Sequence, residues 1–599
     1  MDNPLDIASS LVFKQVNKVR EWHELPKYAA LLNLRSFRNE LRELNLYDTE
    51  TEELNAAENG GNGGPMAPED LPKYRTYDGA KTDARYPNMG RAGSRFGRNH
   101  PLGMTIPEKP PLLMKPNPRT VSTELLNRDT FKPATTLNVL AAAWIQFENH
   151  DWFSHGDNSP DTFSDIDMPE GDDWGENPMK VRSTSPDPGA SGEEVAPTYV
   201  NTVTHWWDGS QIYASDEERN RSLRTGEGGH MIVEDGRLPS ETDAELDGID
   251  KTGFSDNYWI GLSMLHTLFV KEHNAIADYL HGHHPSWDDE KLFLTARLVN
   301  SALMAKIHTV EWTPGILATP VLKAAMHANW YGALPQWAKR LRIDALEGLF
   351  GVVGGETKHH AAPYAITEEF ASVYRLHPLI PDDWEMRSHR DHSLVGEEEF
   401  TDLQGRVTRD KISEYGWPDL FYSFGVAHPG AICMHNHPRA LSNLTRVNGD
   451  RVDIGTIDIF RDRERGVPRY NDFREKLRKP PIERWEDISH DPKWCAEIRD
   501  VYEGDLNRVD LQVGLLCEKP PNGFGFSDTA FRIFILMASR RLKSDRFFTQ
   551  DYTPEVYSAE GLKWIADSTM VDVLMRHHPE LEPALAGVEN AFGPWNKVG

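Results

Sequence analysis

Cysteine is scarce in this chain. Only Cys433, Cys495 and Cys517 occur among 599 residues; they lie far apart and form no CxxC pair. That excludes a zinc framework or a disulfide-rich scaffold and favours a reducing compartment. No uncharged apolar run reaches the roughly 18 residues that span a bilayer. The opening "MDNPLDIASSLVFKQVNKVREWHELP" has neither the basic n-region nor the apolar core of a signal peptide. The expected location is therefore cytoplasmic, with at most a peripheral contact with a membrane. Positive charge is also in short supply. The 65 Lys and Arg against 93 Asp and Glu leave a formal charge of −28, which argues against nucleic acid or an anionic membrane as a non-specific partner. No repeat of fixed period is present.

What is there is enough apolar material for a large core, 39% of the chain, arranged mostly at helical spacing. "LSMLHTLFVKEHNAIADYL" brings Leu262, Leu265, Phe269, Ile276 and Leu280 near one face. "DEKLFLTARLVNSALMAKIHTVEW" does so through Leu294, Leu298, Ala302 and Ala305. "DTAFRIFILMASRRLKSDRFF" begins on Asp528, expected as its N-cap, and ends in basic residues that suit a helix C-terminus. Strand-like alternation is rare. The expected fold is mainly α, a single large helical domain over residues 76–599 with few short strands. Residues 1–75 are expected to form an N-terminal helical segment and a Gly/Pro-rich connection packed on it. The acidic, turn-rich stretch 157–197 reads as a surface loop, and 384–400 is a further polar stretch of low hydrophobicity.

Four groups of residues could carry chemistry. In "AAAWIQFENHDWF", Gln146 and His150 lie at i and i+4 on one helical face. The small residues Val139, Ala142 and Ala143 beside them leave room for a flat group. A histidine near a haem iron, but not bound to it, could move protons between the oxygens of a peroxide. Asp151 faces elsewhere. In "THWWDGSQIY", Thr204, Asp208 and Ser210 present oxygens around the Trp206 carbonyl, a set that Asp151 could complete for a hard cation such as calcium. In "EEFASVYRLHPLIPD", Tyr374 and His377 lie at i and i+3, expected on one helical face. His308 and Thr313 end one helical pattern, and Arg540 and Arg541 interrupt another that is otherwise apolar; an arginine there could hold a carboxylate. Each group alone has an ordinary explanation: a satisfied histidine among 24, an Asp-Gly turn, core packing before Pro378, or arginines that snorkel to solvent.

Their joint order decides. From "WHELP" and "YRTYDGA…FGRNHP" through "AAAWIQFENHDW", "THWWDGSQIYAS", "LHTLFVKEHNAIAD", "ARLVNSALMAKIHTVEWT" and "ANWYGAL" to "YAITEEFASVYRLHPLIPD", "VDIGTIDIFRDRERGVPRYNDFR" and "ASRRLKSDRFFT", the chain resembles the peroxidase–cyclooxygenase superfamily of haem proteins. Within it, the likeness is to the fatty-acid alpha-dioxygenases. The resemblance implies haem b, with His377 as the proximal iron ligand, His150 as the distal histidine and Gln146 as its neighbour. It implies that Tyr374 bears a radical and that calcium is held by Asp151, Thr204, Trp206, Asp208 and Ser210. His308, Thr313, Arg540 and Arg541 match positions associated with the substrate carboxylate. The implied reaction removes hydrogen from C2 of a fatty acid and adds O2 to give a 2-hydroperoxy acid, which can lose carbon dioxide to leave a shorter aldehyde. A hydroperoxide activator is implied, and a monomer is expected.

One departure bears on the alternatives. Animal peroxidases carry a distal arginine before the helix that here reads "LHTLFVKEHN", where this chain has Ser255, Asp256 and Asn257. Without that charge peroxide heterolysis is expected to be slower, which favours an oxygenase. The alternatives are a haem peroxidase acting on small organic substrates or halide, a mid-chain oxygenase of cyclooxygenase type, and a haem- or lipid-binding relative without turnover.

Overall fold

A computed structural model describes residues 12–17, 19–50, 65–189, 196–243, 246–332, 351–447 and 449–599. The first half of the Gly/Pro-rich connection expected over residues 55–74 lies outside the described residues. The architecture is helical, and seven helices frame the site: α1 (Lys27–Leu44), α2 (Leu140–Trp152), α3 (Ile260–His283), α4 (Asp289–Ile307), α5 (Glu368–Val373), α6 (Ile454–Glu464) and α7 (Asp528–Ser544). Among the described residues strands occur as three two-stranded antiparallel sheets. Two of these are hairpins inside stretches that the sequence marks as polar, Phe163–Ile166 with Met179–Arg182 and Asp383–Arg387 with Leu394–Glu399, and the first of them was expected as a surface loop. Their cross-strand pairing forms despite polar composition because one face of each still buries residues such as Ile166, Val181, Trp384 and Met386.

The two long central helices, α3 and α4, pack on each other, and α2 lies across α3. All three are buried on most sides, so their sequences are apolar well beyond one stripe. Asp288 caps α4 by accepting from the Lys291 amide, an interaction of about 1 kcal/mol. The cap of α7 is Ser527, which accepts from the Ala530 amide, not Asp528 as expected. Asp528 is the first residue of the helix and instead receives Trp22 Nε1 (3.2 Å), Lys479 Nζ (2.9 Å) and Arg532 Nε (2.9 Å). A serine one residue earlier supplied the cap and freed the acid for long-range pairing. Helix α1 packs along α7, where Arg42 Nε donates to the Leu536 carbonyl (3.0 Å).

Candidate active site

Helix α2 sorts three functions by angle. Gln146 and His150 share one face, as their spacing predicts. The Gln146 carbonyl oxygen accepts from Trp259 Nε1 (2.8 Å), and its Nε2 donates to the Asn257 carbonyl (3.3 Å). His150 is buried, its ring lies edge-on to Phe254 at 4.9 Å, and its Nδ1 has no partner. Burial lowers its pKa to about 4, with a smaller upward pull from Asp256, so the imidazole is neutral. Asp256 is exposed beside it, an acid in the segment where the resemblance leads one to look for a cation.

Asp151, on another face, meets the loop that precedes residue 210. Its Oδ1 accepts from Ser210 N (2.5 Å) and Ser210 Oγ (3.0 Å), while Oδ2 is buried without a partner. Thr204 Oγ1 donates to Asp208 Oδ1 (2.9 Å), and Arg297 Nη2 reaches Asp208 Oδ2 (3.2 Å). Burial, and then the neighbouring charge of Asp208, push Asp151 up to about 8. Two buried acids, each raised chiefly by burial, form with the neighbouring hydroxyl oxygens an all-oxygen donor set that suits a hard cation. Gly209 makes the turn at φ +77°, where a Cβ would lie 2.9 Å from Ser301 Oγ and from the Tyr213 ring.

Tyr374 and His377 do not share a helix. Helix α5 ends at Val373, Tyr374 is its C-cap, and His377 opens a separate 3₁₀ turn to Leu379. The backbone leaves the helix at Tyr374 (φ −90°, ψ 10°) and is still non-helical at Leu376 (φ −95°, ψ 35°), so the i,i+3 reading of one face fails. His377 Nδ1 contacts Asp458 Oδ2 of α6 at 2.8 Å. That places the proton on Nδ1 and leaves the Nε2 lone pair free on a ring that is 33% exposed, the arrangement an axial iron ligand needs. Asp458 also pairs with Arg375 (3.5 Å), and these charges hold its pKa down. His437 packs edge-on to His377 at 5.5 Å with both ring nitrogens unpaired. His377, His437 and Asp458 are the metal-capable cluster found among the described residues. Asn149 of α2 donates to the Tyr374 carbonyl (3.4 Å) and ties the His150 helix to this segment.

The fourth group forms around Trp152. After α4, residues His308–Trp312 form a π turn, and the Thr313 amide donates to the His308 carbonyl. At about 4.4 residues per turn, such a turn brings Thr313 close to the His308 side, and π turns recur at functional sites. Trp144 Nε1 donates to His308 Nδ1 (3.2 Å), so the single proton of the neutral ring sits on Nε2 and points away as a donor. Burial and the nearby Arg541 keep that imidazole neutral. The Arg541 guanidinium lies over Trp152 at 4.0 Å and Trp207 at 4.4 Å, while Trp152 meets the His308 ring at 5.1 Å and the Tyr374 ring at 5.4 Å. Four side chains here bury donors without a partner: His308 Nε2, Thr313 Oγ1, Arg541 Nε and Nη2, and the Tyr374 hydroxyl. Burial raises the Tyr374 pKa, so the phenol keeps its hydrogen.

Each unpaired buried polar group costs about 1–3 kcal/mol. A set of unpaired donors around one indole, with a guanidinium among them, has the chemistry of a carboxylate receptor. Arg540 differs from its neighbour: it donates to the carbonyls of His359 (3.1 Å), Ala362 (2.8 Å), Pro363 (2.8 Å) and Ala365 (3.5 Å). Sequence reasoning had no means of dividing the pair. It also passed over Trp144, Trp152, Trp207, Asp458 and His437, although the helical spacing of Trp144 and Trp152 on α2 was available.

Comparison with known proteins bears on this geometry. Residues 74–589 match the animal haem peroxidase family. The chain is 37% identical to the alpha-dioxygenase PIOX of Pisum sativum, covering 99% of this chain and 92% of that protein. It is 38% identical to alpha-dioxygenase 2 of Arabidopsis thaliana over 87% and 84%. The crystal structure of the Oryza sativa fatty acid alpha-dioxygenase superposes with a TM-score of 0.90 at 35% identity, over 99% of this chain and 97% of that one. A tyrosine-to-phenylalanine variant of the rice protein, crystallised with palmitic acid, also gives 0.90 at 34% identity, over 99% and 98%.

Proposed function

The chain belongs to the animal haem peroxidase family, and from that premise we infer what its buried site does. It is an oxidoreductase, a fatty-acid alpha-dioxygenase. Hydrogen is removed from C2 of a fatty acid, and O2 adds there to give a 2-hydroperoxy acid, which can lose carbon dioxide to leave an aldehyde one carbon shorter. The observation that carries the reading is the set of unpaired donors around Trp152, which joins a buried guanidinium to the Tyr374 hydroxyl.

In this reading Arg541, His308 Nε2 and Thr313 Oγ1 receive the fatty-acid carboxylate. Arg540 holds the 359–365 backbone and does not take part. An anchored carboxylate leaves C2 as the carbon nearest Tyr374, and hydrogen transfer needs reacting atoms about 3–3.5 Å apart. Haem b fits between His150 and His377 by their chemistry: a free Nε2 lone pair backed by Asp458, and a neutral distal imidazole. When bound, haem supplies the hydroperoxide-driven oxidation of the tyrosine. His150 moves the proton of the hydroperoxide, and Gln146 steadies the distal loop through Trp259 and Asn257. The Tyr374 phenoxyl radical then takes one hydrogen atom from C2. O2 adds to the resulting carbon radical, and the peroxyl radical takes the hydrogen back from Tyr374. Calcium held by Asp151, Thr204, Trp206, Asp208 and Ser210 would tie α2 to its neighbouring loop and satisfy Asp151 Oδ2. Among the described residues no helix is long and apolar enough to cross a membrane.

The test is oxygen uptake by the haem-loaded protein with a saturated C16 fatty acid, followed by mass analysis of the products. Saturation removes the weak bis-allylic C–H bonds that a mid-chain oxygenase requires. A 2-hydroperoxy acid or C15 aldehyde is expected. No uptake together with rapid peroxide-driven phenol oxidation would replace this reading with a peroxidase.

A further inference from the structure

Glu148 is a fully buried carboxyl in α2, and neither the proton chemistry of His150 nor the oxygen cage of Asp151 uses it. It lies four residues from both Trp144 and Trp152, on the face of the helix they share. Its Oε2 accepts from Trp207 Nε1 at 2.7 Å. Its Oε1 has no hydrogen-bond partner, although the Trp152 indole N–H also bears on this carboxyl. Burial, and then the neighbouring Asp151, push its pKa up by more than the Arg541 charge pulls it down. Trp207 in turn forms part of the head-group wall: its ring lies 4.4 Å from the Arg541 guanidinium, 5.2 Å from the His308 ring and edge-on to Trp152 at 5.4 Å.

We propose that Glu148 is a positioning residue of the head-group site: by fixing the Trp207 indole it sets the plane on which Arg541 receives the fatty-acid carboxylate. The proposal rests on the alpha-dioxygenase reading above. Burying a carboxyl among indoles opposes folding, because its solvation is lost and only one good hydrogen bond replaces it. A leucine of similar size would pack there without that loss. What the carboxyl adds is direction. An indole with its N–H anchored cannot turn about its side-chain torsions, and a guanidinium stacked on it keeps its Nε and Nη2 edge aimed at the pocket. Burial holds the Glu148 pKa well up, so the group accepts from Trp207 without adding a negative charge that would repel the substrate.

The test uses the haem-loaded protein with palmitic acid, comparing the wild type with Glu148→Leu, Glu148→Gln, Trp207→Phe and the Glu148→Leu/Trp207→Phe double variant. Oxygen uptake gives kcat and KM, and calorimetric titration under argon gives the dissociation constant without turnover. A misaligned Arg541–carboxylate contact predicts a rise of roughly tenfold in both KM and dissociation constant for Glu148→Leu, with a smaller change in kcat. Glu148→Gln, whose amide oxygen still accepts from Trp207, is expected to stay within about threefold of wild type. The double variant is expected to be no worse than Trp207→Phe alone, because both changes remove the same link. A Glu148→Leu constant within twofold of wild type, a Gln variant as impaired as Leu, or multiplicative effects in the double variant would each overturn the proposal. If the Leu variant does not fold, adding Glu148→Gln to Trp207→Phe carries the same test, since it must change nothing further. A wild type that binds palmitic acid without oxygen uptake would refute the reaction assigned above, and the argon titrations would still decide the role of Glu148.

Discussion

Two buried clusters in this protein hold arginine, and they differ in one respect. Around Asp510 every charge is paired. Arg463 donates Nε and Nη2 to the two carboxylate oxygens (2.8 and 2.6 Å) and Nη1 to the carbonyls of Leu113 and Pro116. Arg469 (2.5 Å) and the Tyr502 hydroxyl (2.7 Å) complete the shell of Asp510. Around Trp152, by contrast, Arg541 stacks on indoles with Nε and Nη2 unpaired, and His308, Thr313 and Tyr374 add further unpaired atoms. Both clusters are equally dry. The first joins chain segments 350 residues apart in sequence, as the bond from Arg463 to Leu113 shows. The second sacrifices stability to keep donors available. Between these two clusters, completeness of pairing distinguishes the arginines where burial does not.

The contrast can be broken by mutation, most severely at its centre. Tyr374→Phe is expected to abolish oxygen uptake while the Soret band of bound haem persists; full oxygenation in that variant would remove the radical from Tyr374. Next in size, Arg463→Leu leaves Asp510 buried without its bidentate partner and should cost about 3–5 kcal/mol in denaturant unfolding. Its KM for palmitic acid should not move, and a tenfold change there would erase the distinction between the clusters. Arg541→Leu should do the reverse. It lowers kcat/KM by on the order of tenfold to several hundredfold, while the thermal midpoint holds or rises because an unpaired buried charge is gone. A large loss of stability would mean that Arg541 is structural after all.

The smallest effect concerns pH at a third, fully paired site. His273 takes 2.8 and 2.9 Å contacts from Tyr213 Oη and the Gly229 carbonyl, and burial pushes its pKa down to about 3. A base depressed in the fold stabilises it above the unfolded pKa of about 6.5, and that stability drains away as pH falls toward the folded value. Between pH 7 and 5 the wild type should lose about 2 kcal/mol more than His273→Gln in matched unfolding curves. Parallel curves would show that the ring is already protonated or solvated.

Sequence periodicity made much of this legible. The spacing of Gln146, His150 and Asp151 gave their division among faces of α2, because a 3.6-residue helix leaves little choice. The helical class was readable in the same way, whereas the other three groups stood out by residue type and by their order along the chain. Three things were not legible. The break between Tyr374 and His377 depends on where α5 stops, and element ends are set by tertiary contacts. The split between Arg540 and Arg541 depends on which carbonyls a distant segment, 359–365, brings within reach. The hairpins in the two polar stretches depend on the helices beneath them, since composition alone marks those stretches only as polar.

The π turn at His308–Trp312 has one further consequence, for insertions and deletions. A one-residue deletion inside the turn would let α4 run on as ordinary helix to Ile316. It would also swing Thr313 by about 100° relative to His308. The two donors are thus held in phase by the number of residues between them. Substitutions along this segment can be absorbed one at a time, whereas a lost or gained codon would dismantle the head-group site and leave a well-folded helix behind.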